Sequence, residues 1–291
     1  MTWIFFTLLA AFSQSWRNAF QSQLSKEMNV IGVTLSRFLW ASPLAAFYLV
    51  CLYWFEPVAL PYLNISSYLF IFGASVMQIL ATALMVVLFK QKNFAIGAGL
   101  AKSEAPVAAI LGVLFFGTSL SMFGWAGVIV GGIAVFMLSC SNGIRTISLK
   151  TALIGLACST SFALTSLWIR EASLTLDLPF PHRAAWVLFF VISFQTLILL
   201  AYMLLKDRRT LSLMFIKSKL VIMTSVASFV GSLGWFSAMS LQTVPLVKTL
   251  GQVEVFFTML ISFFWLKEGI RRKDMLALVL IAIAAILVMW Q

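Results

Sequence analysis

Residues 236–268, FSAMSLQTVPLVKTLGQVEVFFTMLISFFWLKE, form a short polar link that leads into a long apolar run. The run starts near Pro245, and proline is tolerated in the first helical turn because its missing N–H has no partner there. About ten residues further on it carries Glu254. Shifting the chain by 150 residues overlays this layout on KQKNFAIGAGLAKSE at 90–104, which ends in Glu104. The sequence therefore predicts two related halves.

The composition places the whole chain in a membrane. Hydrophobic residues make up 62% and charged residues 10%, and the mean hydropathy is +1.03. A soluble domain has about 25% charged residues because its surface faces water. The excess of 20 Lys and Arg over 9 Asp and Glu is typical of connections beside a membrane, and it predicts no nucleic-acid partner.

Ten apolar runs are long enough to cross a bilayer as helices, since a span needs about 20 residues. We number these predicted spans 1 to 10 in chain order: Trp3–Gln23, Val30–Phe55, Ser66–Phe89, Phe94–Phe116, Ser121–Ser141, Leu149–Ala172, Ala184–Leu205, Leu220–Leu241, Pro245–Leu266 and Met275–Trp290. The prolines Pro43 and Pro106 lie inside spans and predict kinks. The expected fold is all-α.

The basic residues in the connections predict the orientation. Fourteen Lys and Arg lie in connections 1–2, 3–4, 5–6, 7–8 and 9–10, and only Arg170 and Arg183 lie on the other side. Because the more basic side of a membrane protein faces the cytoplasm, both termini are expected outside, in an inner membrane.

Five spans per half have a geometric consequence. A second overlay, shifted by 146 residues, matches Arg37–Trp40 with Arg183–Trp186 near the starts of spans 2 and 7. An odd number of spans turns the second copy upside down, and such inverted repeats are a common plan of secondary transporters. The predicted repeats are residues 1–145 and 146–291, around a central cavity.

The two five-span halves resemble EamA repeats of the drug/metabolite transporter superfamily. The resemblance is carried by spans 3 and 8 running into spans 4 and 9, with a mid-helix glutamate and a terminal acid near Glu268. The first copy has Gly117-Thr118 in place of the terminal acid, and the second has Val255-Phe256 where the family often has proline. The resemblance implies a transporter of amino acids, other small metabolites or amphipathic compounds, which in bacteria are more often exported.

Charged side chains inside a span cost about 2.5–3.5 kcal/mol, so they face protein or a wet cavity. Glu104 and Glu254 occupy matched positions, and two interpretations fit them equally. They line a central path, where they bind an amino group or a proton, or they clamp their helices together. Lys102 lies about 200° around the helix from Glu104. Lys248 and Gln252 share a face, either as a substrate-binding stripe or with a lysine that reaches the membrane interface.

Other polar and aromatic residues inside the spans are candidates for the path. In span 1, Gln14, Arg17, Asn18 and Gln21 recur at helical spacing on one face. Three tryptophans, Trp16, Trp168 and Trp235, are candidate pocket walls, although packing is the commoner role. Gln78 and Gln195 predict an interhelical hydrogen bond. The family resemblance makes Arg37 a structural charge, and its counterpart Arg183 is assigned likewise.

The leading hypothesis is therefore a secondary transporter that works by alternating access. It is expected to need no cofactor or metal. It needs a small-molecule substrate and a lipid bilayer, and proton coupling and a homodimer stay open. An enzyme is not expected, because HExxH and GxSxG sets are absent and the sole histidine, His182, lies in a connection. The alternatives are a protein that moves a lipid-linked or amphipathic substrate between leaflets, and a non-transporting scaffold.

Overall fold

The computed structural model describes residues 1–90, 103–139, 148–264 and 272–290. Within these ranges the chain forms thirteen helices and no strand. In chain order they are α1 (Thr2–Leu24), α2 (Val30–Phe38), α3 (Ala41–Phe55), α4 (Ile65–Lys90), α5 (Glu104–Phe115), α6 (Met122–Ser139), α7 (Leu149–Thr175), α8 (His182–Lys206), α9 (Arg208–Ile216), α10 (Ser218–Leu241), α11 (Val244–Gly251), α12 (Glu254–Phe264) and α13 (Arg272–Met289).

Many of these helices are long and apolar enough to cross a membrane. Among the described residues six segments meet that length and hydropathy: Val30–Phe55, Ile65–Lys90, Leu149–Thr175, His182–Lys206, Ser218–Leu241 and Val244–Ile261. Shorter apolar stretches are Glu104–Phe115, Met122–Met137 and Met275–Met289. The chain is an all-α, multi-pass membrane protein, and the count of ten spans stays a prediction.

Predicted spans 1, 3, 6, 7 and 8 correspond to α1, α4, α7, α8 and α10 to within three residues at each end. Spans 2 and 9 are each two helices. α2 ends at Phe38 and α3 begins at Ala41, while α11 ends at Gly251 and α12 begins at Glu254. Of span 4 the structure describes the part that contains α5.

The prolines explain where two of the helices begin. Pro43 is the third residue of α3, and Pro106 is the third residue of α5. The first turn of a helix has N–H groups with no intrahelical partner, so proline removes no helical hydrogen bond there. The interruption of span 2 at Leu39 and Trp40, just before Pro43, agrees with the predicted kink. The part of span 4 before residue 103 lies outside the described residues, so the kink at Pro106 stays a prediction.

Three helix pairs make the most extensive contacts: α1 with α10, α4 with α7, and α6 with α13. Small residues permit this approach. At Gly234 of α10, an added Cβ would lie 2.6 Å from the backbone oxygen of Phe6 in α1. In α6, an added Cβ at Gly127 would meet Val288 of α13 at 2.6 Å. Gly127 therefore serves packing within the chain.

The connection between α8 and α10 contains α9, a helix that the sequence analysis did not predict. Asp207 caps it, because its Oδ1 accepts a hydrogen bond from the backbone N–H of Thr210 at 3.1 Å. The same carboxylate accepts a hydrogen bond from the side chain of Asn29. Asn29 in turn caps α2 by accepting from the N–H of Gly32 at 2.8 Å. Two helix caps thus join connections 1–2 and 7–8.

Candidate functional site

A buried ion pair joins the two halves of the chain. Nζ of Lys248, on α11, lies 2.8 Å from Oε1 of Glu104, the first residue of α5, and the side chains are 10% and 13% exposed. Ser166 of α7 donates its hydroxyl to the same carboxylate oxygen at 2.9 Å. The lysine therefore does not extend to the membrane interface, which corrects one of the two interpretations of its role.

Glu254 is the second buried carboxylate, 1% exposed, at the first residue of α12. It accepts hydrogen bonds from two residues of α1. Gln14 donates through Nε2 to one carboxylate oxygen, and Asn18 donates through Nδ2 to the other at 2.8 Å. The polar face of α1 is thus held against the start of α12.

Trp235 of α10 connects these two carboxylate sites. Its indole N–H donates to Oε1 of Gln14 at 2.8 Å, and Nζ of Lys248 lies 4.2 Å from the centre of its ring. A cation at this distance over an aromatic face is attracted by the ring quadrupole. Gly251 leaves room for the ring, since an added Cβ would lie 2.3 Å from it. Glu104 and Glu254 therefore belong to one connected cluster.

Both glutamates occupy the first position of a helix. A helix N-terminus carries a partial positive charge, which favours an adjacent carboxylate. This environment, with the hydrogen bonds described above, offsets part of the cost of placing an acid inside a membrane. The break between α11 and α12 thus positions Glu254, and Glu104 lies at the start of α5.

The cluster surrounds a cavity of about 10 Å³, which is room for about one water molecule. Eight residues line it: Gln14, Glu104, Ala105, Trp235, Lys248, Gly251, Gln252 and Glu254. Gln252 is 2% exposed, and its amide N and O find no hydrogen-bond partner among the described residues. It lies against Gly131 of α6, where an added Cβ would overlap the amide oxygen.

Two arginines are buried near this cluster. Arg17 of α1 is 1% exposed and donates through Nη2 to Oδ1 of Asn18 at 3.1 Å. Arg37 of α2 is 2% exposed and donates through Nη1 to the hydroxyl of Thr82 at 2.7 Å. Glu104 interacts electrostatically with both arginines.

The remaining predicted residues lie elsewhere. Trp16 does not line the cavity; it borders an apolar groove between α1 and α10. Trp168 packs on Gly73 of α4, where an added Cβ would lie 2.9 Å from its ring. Neither tryptophan lines the cavity around the carboxylates, and a role for them in a substrate path stays a prediction. Gln195 of α8 donates to Oε1 of Gln78 of α4 at 2.7 Å, as the predicted interhelical hydrogen bond requires. Lys102 lies outside the described residues.

The first two residues of α8, His182 and Arg183, contact backbone oxygens of other parts of the chain. Arg183 donates through Nη2 to the backbone oxygen of Ser240 at 2.7 Å. His182 is 1% exposed, at the first residue of α8, and its Nε2 lies 2.9 Å from the backbone oxygen of Glu56. The prediction of a loop histidine is therefore wrong.

Ser166 is a member of the cluster that the sequence analysis missed. The chain has many serines in α7 alone, and no spacing distinguishes the one that contacts Glu104. Within the described ranges no three His, Cys, Asp or Glu side chains come close enough to hold a metal ion. The chemistry that the cluster offers is charge pairing and hydrogen bonding.

The fold and the cluster define a multi-pass membrane protein with charged residues buried at the breaks of its helices. Residues 149–290, the second half of the chain, match the EamA-like transporter family. This match indicates a membrane transporter of small molecules. One crystal structure is similar, with a TM-score of 0.73 and 14% identity over 98% of this chain and 98% of that chain, which shows the fold alone. No curated protein sequence matches this chain.

Proposed function

We propose that the chain is a secondary transporter that exports amino acids or related small polar or amphipathic compounds by alternating access. Ten spans form two inverted repeats, residues 1–145 and 146–291, and the substrate passes between them. The observation that carries the proposal is the connected cluster around Glu104 and Glu254, one acid from each half, at the start of broken helices. Broken helices at the membrane midplane are typical binding sites of secondary transporters.

The helix contacts support the repeat. Exchanging each span for the one five places along turns the α1–α10 pair, spans 1 and 8, into spans 6 and 3, which are α7 and α4. The α6–α13 pair, spans 5 and 10, is exchanged with itself. A pseudo-twofold relation between the halves requires this correspondence of contacts.

The small cavity supports a closed state of the cycle. Ligand sites for small molecules are usually about 300–1,000 Å³, whereas this cavity is about 10 Å³. A substrate therefore enters only when the helices around the cluster separate. We infer that opening replaces the contact of Lys248 with Glu104 by contacts with the substrate, so that the buried charges stay paired throughout.

The chemistry of the cluster suits a zwitterion. A substrate ammonium group fits between a carboxylate and the face of Trp235, which Lys248 now occupies. One of the two carboxylates is also the candidate group for proton coupling. The basic connections orient the chain with both termini on the periplasmic side of an inner membrane. A homodimer would use a surface other than Gly127, which contacts α13.

One observation favours a second function. Between α1 and α10 runs an apolar groove of about 360 Å³, lined by residues that include Phe12, Trp16 and Val226. Such a groove suits the acyl or aromatic part of an amphipathic substrate that crosses between leaflets. Competition of detergent-like amphiphiles with polar metabolites in the same assay separates the two functions.

The test of the proposal is transport by purified protein in vesicles. We expect saturable uptake and counterflow for at least one amino acid in a broad metabolite panel. Glu104→Gln and Glu254→Gln should each reduce counterflow at least tenfold while the yield of folded protein stays near that of the parent. Glu56→Gln, which changes an exposed acid in a connection, is the control and should transport normally.

Two results would contradict the proposal. Absence of counterflow across the panel would show that the protein does not transport these metabolites. An equal loss of folded yield and of transport in both glutamine variants, with normal transport per folded molecule, would assign the acids to structure alone.

A further inference from the structure

The contact between α1 and α2 points to neighbouring positions for Arg17 and Arg37. Gln21 of α1 donates through Nε2 to the backbone oxygen of Val33 in α2 at 3.4 Å. Arg17 is one helical turn before Gln21, and Arg37 is one turn after Val33. Because α1 and α2 are joined by a short connection and run antiparallel, both steps lead in the same direction. The electrostatic interaction between the two arginines agrees with this placement.

Neither guanidinium group has a full set of partners. Nε and Nη1 of Arg17 and Nε of Arg37 are buried and find no acceptor among the described residues. A guanidinium has five N–H groups arranged as a fork that matches an oxyanion. Leaving such donors buried without acceptors costs free energy, so an acceptor that the chain does not itself supply is favoured at this position.

The charges around the two arginines also favour an anion at this position. Three described cations of the region, Arg17, Arg37 and Lys248, face two carboxylates, Glu104 and Glu254. A buried excess of positive charge is costly, and an anion relieves it.

We propose that Arg17 and Arg37 form an oxyanion subsite that takes the carboxylate of the transported substrate. The inference rests on the proposed function, which it narrows to substrates with a carboxylate. Asn18 links the two parts of the site, since its amide oxygen accepts from Arg17 and its amide nitrogen donates to Glu254. An amino acid bound at this site presents its carboxylate to Arg17 and its ammonium group to the carboxylates of the cluster.

The subsite is tested by binding, which needs no transport. The purified protein is unfolded by heat with each standard amino acid, with the corresponding amino acid amide, with inorganic phosphate and with phosphatidylglycerol micelles. We expect at least one amino acid to raise the unfolding temperature. Its amide, which has no carboxylate, should bind with an apparent Kd at least tenfold higher. Arg17→Gln should remove this preference, and Arg17→Lys should keep part of it.

Arg183, a half-buried arginine outside the subsite, provides the control. Arg183→Gln removes a hydrogen bond to Ser240 and should leave the preference for the carboxylate unchanged. If Arg17→Gln does not fold, Arg17→Lys carries the test, because it keeps the charge and loses the fork. In that case at least a threefold rise in the apparent Kd is expected for the amino acid and none for its amide.

Four outcomes would overturn the subsite. Equal binding of an amino acid and its amide would show that the arginines do not bind the carboxylate. An unchanged preference for the carboxylate in both Arg17 variants would show the same. Stabilisation by phosphate or phosphatidylglycerol and by no amino acid would assign the arginines to a lipid headgroup. No stabilisation by any of these anions would leave no oxyanion site. If carboxylates bind but no counterflow is seen, the proposed transport fails and the subsite stands.

Discussion

Replacing Lys248 by methionine tests the ion pair that joins the halves. Methionine keeps the unbranched apolar stem but leaves Glu104 without its cation. At 2.8 Å and an effective dielectric constant of about 20, the attraction is about 6 kcal/mol before desolvation. Breaking a buried pair by removing one partner typically costs about 3–5 kcal/mol. We expect Lys248→Met to lower the free energy of unfolding by about that amount.

A double-mutant cycle isolates the pair from the other contacts of each residue. Glu104→Gln combined with Lys248→Met should be more stable than the sum of the single variants predicts, with a coupling free energy of about 2–3 kcal/mol. The measurement is reversible unfolding in mixed micelles with rising SDS, followed by tryptophan fluorescence. Lys219→Met, at an exposed site, is the control. A coupling below about 0.5 kcal/mol would refute the ion pair as the contact that holds α5 to α11.

Two further predictions concern a close contact and a helix cap. Gly251→Ala should displace the ring of Trp235, lower the free energy of unfolding by about 1–3 kcal/mol in the same assay, and alter the fluorescence of that tryptophan. The side-chain hydrogen bond from Thr210, together with the backbone N–H of Thr210 and Asn29, lowers the pKa of Asp207. The ionised Asp207 therefore stabilises the fold fully above about pH 4, the pKa of an aspartate in the unfolded chain. This stabilisation is lost as the pH falls through the lower pKa of Asp207 in the folded protein. Asp207→Asn should flatten this part of the acid unfolding curve, and an unchanged curve would exclude the cap as its source.

The apolar runs of the sequence predict most of the long helices because length and hydropathy are local properties. The matched glutamates also stand out in the sequence, since an acid in an apolar run is rare and the 150-residue shift repeats it. The structure brings both acids into one hydrogen-bonded cluster with Gln14, Lys248 and Trp235.

Other features depend on contacts between distant parts of the chain. Lys248 is close to a helix start, so the local pattern suits a lysine at the interface, and only the three-dimensional fold reveals Glu104 beside it. Helical spacing places Trp16 and Trp168 on faces of their own helices. In an apolar bundle, however, that spacing does not distinguish a face toward the cavity from one toward lipid or another helix. The residues at the break in span 9 are apolar or small, apart from Gln252, so the sequence pattern continues through it.

The ion pair between Glu104 and Lys248 also has a consequence for biosynthesis. Lys248 follows Glu104 by 144 residues in the chain. Translation adds about 5–20 residues per second, so the acid leaves the ribosome roughly 7–30 s before its lysine. During that interval the nascent first half holds a carboxyl group whose cation has not been made. We expect this segment to stay next to water or the insertion machinery until the second half arrives, which makes membrane integration of the two halves interdependent.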